Sequence, residues 1–217
     1  MDVSRYVEAL PGSLGERYLN HRGIRLETAL RFDVGFAAPG TWIHRTSAGT
    51  PIRQGRWGRV VFPHTEPEGG VVNLYGRAVG SADRVEKGDR HDHLAGPKGV
   101  FNARAFREGE GRLYVCEGVF DALSLIEAGF ERTVAIFGIN GMRWEWTGSV
   151  LEIVMALDPD ETGLRSRIEL GRQGALRGKR IWFLEEEMLG GASDLNEAWV
   201  RRSLRLEPGS VDTVSPR

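Results

Sequence analysis

Acidic residues follow three stretches in the second half of the sequence, at positions where buried strands or glycine-rich loops end. Glu117 follows LYVC, with Asp121 four residues beyond it, and Asp158 and Asp160 follow EIVMAL. Asp194 comes directly after LGGAS. Carboxylates crowded within a few ångströms cannot all ionise unless a cation lies among them. Hard divalent metals prefer such oxygen ligands, so these acids indicate a magnesium-type site suited to phosphoryl transfer.

The same acids also have simpler interpretations. Asp194, with Glu197 three residues later, matches a capping box at the start of a helix, and for Glu197 capping is the favoured role. Asp121 would meet the positive end of a helix dipole. Asp158 and Asp160 are harder to explain in this way, because they close a buried strand. Spacing alone leaves a metal site and a set of caps and turns both open.

The elements that must position these acids alternate in type. The apolar runs LYVCEG, TVAIFG, VLEIVMALD and KRIWFLEE predict strands, and VFDALSLIEAG, ETGLRSRIELGRQGAL and DLNEAWVRRSL predict helices. Apolar runs without alternation are typical of strands covered on both faces, so this half predicts a parallel α/β sheet. Sites in such sheets form at the carboxyl ends of the strands, where the acids lie.

The first half has a different pattern and predicts an α+β region. Ser13 and Glu16 form a capping box for a short helix, a second helix follows near residues 26–32, and short β runs such as GRVVFPH and GGVVNLYGRAVG come next. We therefore predict an α+β subdomain over residues 1–108, an α/β domain over 109–206, and a disordered tail over 207–217.

Charge separates the halves further, although the net charge is only -1. No acid occurs between Asp33 and Glu66. The basic and aromatic residues in that interval are Arg45, Arg53, Arg56, Arg59, His44, His64, Trp42 and Trp57. Such a stretch suits a phosphate backbone and an unstacked base, but it suits a solvated basic loop equally well.

Composition excludes several classes of protein. Cys116 is the single cysteine, which excludes an internal disulfide and a zinc site built from several thiolates of this chain. We expect it to be a small buried hydrophobe. No window approaches a membrane span, and the first residues lack the pattern of a signal peptide. We therefore expect a cytoplasmic protein that does not interact with membranes.

Three motifs resemble those of the Toprim domain. Residues 117–121 (EGVFD) resemble its EGxxD element, residues 158–163 (DPDETG) its DxDxAG element, and residues 193–197 (SDLNE) its third acidic element. Upstream, GRVVFP and NLYGRAVG are similar to strands of the polymerase core of bacterial DnaG-type primases and phage primase-helicases. The sequence departs from that pattern at Thr162, Ser193 and Asn196, and at Asp92, where a lysine is expected.

The resemblance implies a Toprim-type, Rossmann-like parallel sheet preceded by a smaller primase-like α+β subdomain. It implies synthesis of short primers from nucleoside triphosphates on a single-stranded DNA template, by two-metal phosphoryl transfer with Mg²⁺ or Mn²⁺. Glu117 would be the general acid or base, or would help to hold a metal. The metal ligands would be Asp158, Asp160, Asp121 and Asp194. The nucleic-acid or nucleotide contacts would be Arg59, Arg77, Lys98 and Arg104.

The resemblance also leaves partners and alternative functions open. The zinc ribbon of the primases needs more cysteines than this chain has. We expect either that a zinc-ribbon or helicase partner supplies the missing functions or that this is a compact mobile-element form or a fragment. A Toprim nuclease is one alternative, because the same carboxylates can support phosphodiester cleavage. A non-catalytic module that binds single-stranded nucleic acid is another, suggested by the altered third motif.

Overall fold

The computed structural model describes residues 1–80, 85–159, 161–206 and 214–216. The chain divides into two compact units. The N-terminal unit comprises Met1–Glu66 and Gly70–Gly99, and the C-terminal unit comprises Pro67–Gly69 and Val100–Arg217. The division at Gly99 precedes the boundary at residue 108 that the sequence suggested, because the short helix that contains Phe106 contributes to the core of the C-terminal unit.

Three short helices begin the N-terminal unit. They are α1 (Ser4–Glu8), α2 (Leu14–His21) and α3 (Leu26–Arg31). The predicted cap of α2 is confirmed, since the Ser13 hydroxyl oxygen accepts hydrogen bonds from the backbone N–H groups of Gly15 and Glu16 at 3.0 and 3.2 Å. These contacts satisfy donors that a helix otherwise leaves unpaired.

An antiparallel sheet completes the N-terminal unit. Its strands are β1 (Gly35–Ala37), β4 (Arg59–Thr65), β5 (Val71–Ala78) and β6 (His91–His93), in the order β1-β4-β5-β6. Between β1 and β4, β2 (Ile43–Arg45) and β3 (Pro51–Gln54) form a separate two-stranded hairpin. Buried side chains, including those of Tyr6, Trp42 and Leu74, form the core of this unit.

The C-terminal unit is the predicted α/β fold. Its regular elements are β7 (Leu113–Cys116), α4 (Val119–Glu127), β8 (Thr133–Ala135), β9 (Glu152–Ala156), α5 (Glu161–Ala175), β10 (Arg180–Leu184), α6 (Leu195–Val200) and β11 (Val214–Pro216). The strand order is β11-β10-β9-β7-β8, in which β8, β7, β9 and β10 are parallel and β11 pairs antiparallel with β10. The predicted parallel sheet is therefore confirmed. The sequence had placed β11 within a disordered tail.

Strand register explains why the acids converge. In the pairing of β7 with β9, Leu113 lies opposite Ile153 and Cys116 lies opposite Ala156. The two strands therefore end at the same edge of the sheet, and the acidic residues that follow them emerge side by side. Cys116 is fully buried, as expected.

Short 3-10 helices connect several of these elements. They cover Lys87–Asp89, Ala103–Phe106, Ile139–Gly141, Trp144–Trp146 and Glu186–Leu189. Among the described residues, no helix combines the length and apolar character that crossing a membrane requires.

Candidate active site

A close turn between β7 and α4 brings Asp121 to the carboxyl end of the sheet. Gly118 caps α4 in an extended conformation, and a Cβ atom at this position would lie only 2.6 Å from Oδ2 of Asp121. Any other residue would displace the carboxylate, because real Cβ contacts are never so short. The glycine of the EGxxD element is therefore required by the position of the aspartate.

The environment of Asp121 disfavours its ionised form. Burial, followed by the charges of Asp158 and Asp194, raises the pKa of Asp121 to about 8. The backbone N–H of Asn196 donates a hydrogen bond to Oδ1 of Asp121 at 3.1 Å, which opposes the shift only in part. Without a cation, Asp121 is mostly protonated at neutral pH.

Asp158 and Asp194 thus lie close enough to Asp121 to influence its ionisation. Asp158 follows β9 and is half-buried, and its charge also helps to raise the pKa of Cys116, after burial and Asp121. The backbone carbonyl of Leu157, next to Asp158, accepts a hydrogen bond from Arg167 of α5 at 3.0 Å. This contact fixes the end of β9 from which Asp158 projects.

Asp194 has the capping role that the sequence suggested. Its Oδ1 accepts a hydrogen bond from the Glu197 backbone at 2.7 Å, and the Glu197 side chain accepts one from the Ser193 backbone at 2.7 Å. Glu197 also pairs with Arg201 at 2.6 Å. The cap at Asp194 is confirmed, whereas the Glu197 side chain reaches the N–H of Ser193, one residue before the N-cap. The cap is compatible with proximity to Asp121 because it lies at the start of α6.

Glu117 lies at the same edge, directly after β7, and is half-buried. Its carbonyl accepts a hydrogen bond from the Gly138 backbone at 3.3 Å. The preceding residue, Phe137, has a φ of 53°, in the left-handed region that is unfavourable for a bulky side chain. Such strain persists only where surrounding contacts define the backbone, and it is common next to functional sites.

Two polar residues that the sequence did not assign to the site support Asp121. The side-chain Nδ2 of Asn196 donates to Oγ of Ser124 at 2.9 Å, and Ser124 donates to the carbonyl of Phe120 at 2.8 Å. Asn196 and Ser124 are both buried. The departure at Asn196 from the usual motif was the one available signal, but it did not reveal this pairing.

The donor set fits a divalent cation. Among the described residues no three His, Cys, Asp or Glu side chains form a ready-made metal cluster. Asp160 lies outside the described residues. Nevertheless, the raised pKa of Asp121 between Asp158 and Asp194 indicates uncompensated negative potential, which a cation would relieve.

The predicted basic residues lie in different environments. Arg59 is only 2% exposed, and it donates to the Gly76 carbonyl at 3.0 Å. Burial lowers its pKa, and Asp92 and Asp89 oppose that shift. Arg77 is half-buried and contacts Nε2 of His91 at 2.7 Å. Because it is buried, Arg59 is not available for direct contact with a nucleic-acid strand.

The remaining predicted contacts, Lys98 and Arg104, are exposed. Arg104 belongs to the C-terminal unit and Lys98 to the N-terminal unit. The aromatic part of the basic stretch is less available, because Trp42 and His64 are fully buried and their rings cannot stack on a base.

Comparison with known families identifies the acidic unit. A family model described as Toprim-like matches residues 114–198, which include Glu117, Asp121, Asp158 and Asp194. Residues 114–198 form a Toprim-like domain. This match begins within β7 and ends within α6, so it includes α4, α5 and the strands β8, β9 and β10.

Curated proteins that are similar to part of the chain are DNA primases. The DNA primase of Rickettsia bellii (strain RML369-C) is 26% identical over 178 residues, a match that covers 70% of this chain and 30% of that protein. The chain therefore spans less than a third of the length of this curated relative.

Solved structures share the fold of both units. The Escherichia coli primase catalytic core has a TM-score of 0.71 at 18% identity, covering 99% of this chain and 78% of that one. A DnaG primase catalytic domain bound to single-stranded DNA has a TM-score of 0.67 at 18% identity, covering 93% and 74%. The chain thus combines a Toprim-like match over residues 114–198 with the fold of DnaG-type primase catalytic cores.

Proposed function

We propose that this protein catalyses metal-dependent synthesis of short primers from nucleoside triphosphates on single-stranded DNA. The observation that carries the proposal is the convergence of Asp121, Asp158 and Asp194 at the end of the parallel sheet, where burial first and then the charges of Asp158 and Asp194 raise the pKa of Asp121. Similarity to DNA primases over 70% of the chain supports the same reaction class.

Metal binding is assigned to the acidic residues of the Toprim-like domain. Asp121, Asp158 and Asp194 would hold Mg²⁺ or Mn²⁺ together with Asp160, which lies outside the described residues. When bound, these ions stabilise charge on the attacking and leaving oxygens of an in-line displacement. The cation would also keep Asp121 ionised at neutral pH, against the effect of burial.

Glu117 is proposed as the residue that exchanges a proton with the reacting hydroxyl. It follows β7 at the edge of the sheet where the acids gather, and it is half-buried. A carboxylate at this position could accept the proton of an attacking 3′-hydroxyl. The hydroxyl oxygen bonds to the α-phosphorus of the nucleotide, and pyrophosphate leaves from the opposite side of that phosphorus.

Basic residues are proposed to bind the template and the nucleotide. Lys98 and Arg104 are exposed, and Arg77 is half-buried, so each can reach a phosphate. Arg59 would contribute by supporting the sheet from within. A zinc-ribbon or helicase partner would select the template.

One assay separates this proposal from its alternatives. Single-stranded DNA is incubated with labelled nucleoside triphosphates, Mg²⁺ or Mn²⁺, and the wild-type protein, Glu117→Gln or Asp158→Asn. Glu186→Gln, an exposed acid of the same unit, is the control. Labelled oligomers that disappear in the first two variants but not in the control support synthesis.

Other outcomes of the assay contradict the proposal in distinct ways. Degraded DNA without labelled product indicates a Toprim nuclease. Binding without any product indicates a module that only binds nucleic acid. Full activity of Asp158→Asn would overturn the metal assignment.

A further inference from the structure

A β-hairpin extends from the N-terminal unit and is not part of its main sheet. Residues 43–56, which we call the arm, contain β2 and β3, and these strands pair with each other rather than with the described strands of the sheet. All of Pro51–Gln54 is exposed, and Ile52 is 65% exposed. A two-stranded hairpin is marginally stable alone, so contacts at its base must hold it.

Asp92 of β6 provides the anchor. Its Oδ2 accepts hydrogen bonds from Nε1 of Trp42 at 3.0 Å and from Nε2 of His44 at 2.9 Å. Arg53 of β3 donates to both carboxylate oxygens, at 2.6 and 2.7 Å. One carboxylate of the main sheet therefore holds the start of the arm and both of its strands.

All charged side chains of the arm are positive. Its charged side chains at neutral pH are Arg45, Arg53 and Arg56, and the chain has no acid between Asp33 and Glu66. Arg45 donates to the carbonyl of Gly49 in the turn at 2.9 Å, which holds its guanidinium along the hairpin. The turn between the strands, TSAGT, contains only small uncharged residues and allows a close approach.

Arg56 is held at the other end of the arm. Its guanidinium lies 4.8 Å from the centre of the Trp57 ring, and its pair with Glu86 is long, at 3.7 Å. Its side chain is 65% exposed. The two arginines outside the Asp92 contacts, Arg45 and Arg56, are thus both accessible and oriented.

We propose that the arm binds the backbone of base-paired nucleic acid, with Arg45 and Arg56 on phosphates and Asp92 fixing its position. A two-stranded ribbon fits the major groove of a duplex, whereas single strands are bound mainly by aromatic stacking. The ring within the arm, that of His44, is 11% exposed. Of the two tryptophans that flank the arm, Trp42 is fully buried, and the half-buried ring of Trp57 lies against the Arg56 guanidinium. The proposal rests on the proposed function only in taking nucleic acid as the ligand.

The first test compares two matched double variants of the full chain. Arg45→Gln with Arg56→Gln removes two arm charges. Arg172→Gln with Arg177→Gln, which we call the α5 variant, removes two exposed charges from the last turn of α5 and the turn that follows it. Binding to a labelled DNA duplex and to a labelled single strand is measured by fluorescence anisotropy over a range of salt concentrations.

The arm variant is expected to bind the duplex roughly tenfold more weakly at low salt, with a salt dependence reduced by about 1.8 in log–log slope. The α5 variant is expected to match the wild type. Equal duplex binding by both variants overturns the proposal. An equal loss for the single strand overturns the choice of base-paired ligand.

Asp92→Asn provides a second test, because simple electrostatic attraction and positioning of the arm predict opposite changes in the affinity for duplex DNA. The substitution removes a negative charge, so simple electrostatic attraction predicts tighter duplex binding. If Asp92 positions the arm, the affinity falls by several-fold despite the gain in net positive charge. Unchanged or tighter binding, by a variant whose thermal melt shows that it is folded, overturns the anchoring role.

These binding measurements are independent of catalysis. If the protein makes no primers but the arm variant still loses duplex affinity, the proposed function is wrong and the proposal that the arm binds duplex is supported. If primers are made and the arm variant binds duplex normally, the arm proposal fails alone.

Discussion

The backbone N–H of Asn196, in α6, donates a hydrogen bond to the Asp121 carboxylate in α4 at 3.1 Å, across a sequence separation of 75 residues. The same residue reaches Ser124 of α4 with its side chain at 2.9 Å. Asp121 is therefore held in place by a neutral partner, while burial and the neighbouring carboxylates raise its pKa. Without a cation, this position disfavours the ionised form of Asp121.

Asp121→Asn is expected to stabilise the metal-free protein at pH 8. The pKa of Asp121 in the folded protein is about 8, above the ordinary value of 3.8, so its ionisation costs folding free energy that grows as the pH rises between these values. We expect a gain of about 2 kcal/mol at pH 8 and almost none at pH 4, less than the full shift implies because Asp121 is partly exposed.

Urea unfolding in EDTA and in Mg²⁺ measures this effect. Mg²⁺ should stabilise the wild type more at pH 8 than at pH 5 and should have little effect on Asp121→Asn. A wild-type protein whose unfolding free energy is the same with and without Mg²⁺ at pH 8 contradicts the metal assignment.

Gly118→Ala is expected to reduce primer synthesis roughly tenfold or more, because the new Cβ would lie 2.6 Å from Oδ2 of Asp121 and would move the carboxylate. The backbone φ of -100° allows alanine, so we expect the stability to change by less than about 1 kcal/mol. Gly148→Ala is the matched control, since its Cβ would meet nothing within 4 Å. Equal activity of the two variants would show that the position of Asp121 is not critical.

The Asn196–Ser124 contact is expected to contribute to both stability and metal binding. Asn196→Ala should lower the free energy of unfolding by about 1–3 kcal/mol, because Asn196 is 2% exposed and its loss removes a buried hydrogen bond. A double-mutant cycle with Ser124→Ala should give a coupling of about 1 kcal/mol in urea unfolding. Additive effects of the two substitutions would mean that the pairing is not energetically significant.

The α/β half could be predicted from the sequence because its signals are local. Apolar runs without alternation, such as EIVMA, become strands covered on both faces, and the acids that follow them appear at the predicted edge of the sheet. The positions of Glu117 and Asp158 follow directly from where β7 and β9 end. The capping of α6 by Asp194 is equally local, since it depends on a spacing of three residues.

The contacts of the basic half could not be predicted, because they join distant residues. Asp92 receives hydrogen bonds from Trp42 and His44, which precede it by 50 and 48 residues. No spacing rule connects such positions. For the same reason, the burial of Arg59 and Trp42 was not apparent from a stretch that is basic and aromatic throughout.

Asp92→Asn is expected to cost about 3 kcal/mol of unfolding free energy, because it weakens the pairing of the buried Arg59 guanidinium, whose Nη2 lies 3.8 Å from Asp92. Arg53→Gln, which removes a side chain that is 56% exposed, should cost less than about 1 kcal/mol.

Although burial alone would raise the pKa of Asp92, hydrogen bonds from His44, Trp42 and Arg53 lower it. The stabilising effect of the Asp92 charge is therefore present above the ordinary pKa of 3.8 and is lost as the pH falls below it, so the wild type and Asp92→Asn should converge in stability in acid. Urea titrations from neutral to acidic pH test this, and a difference that stays constant with pH would mean that the Asp92 charge does not stabilise the fold.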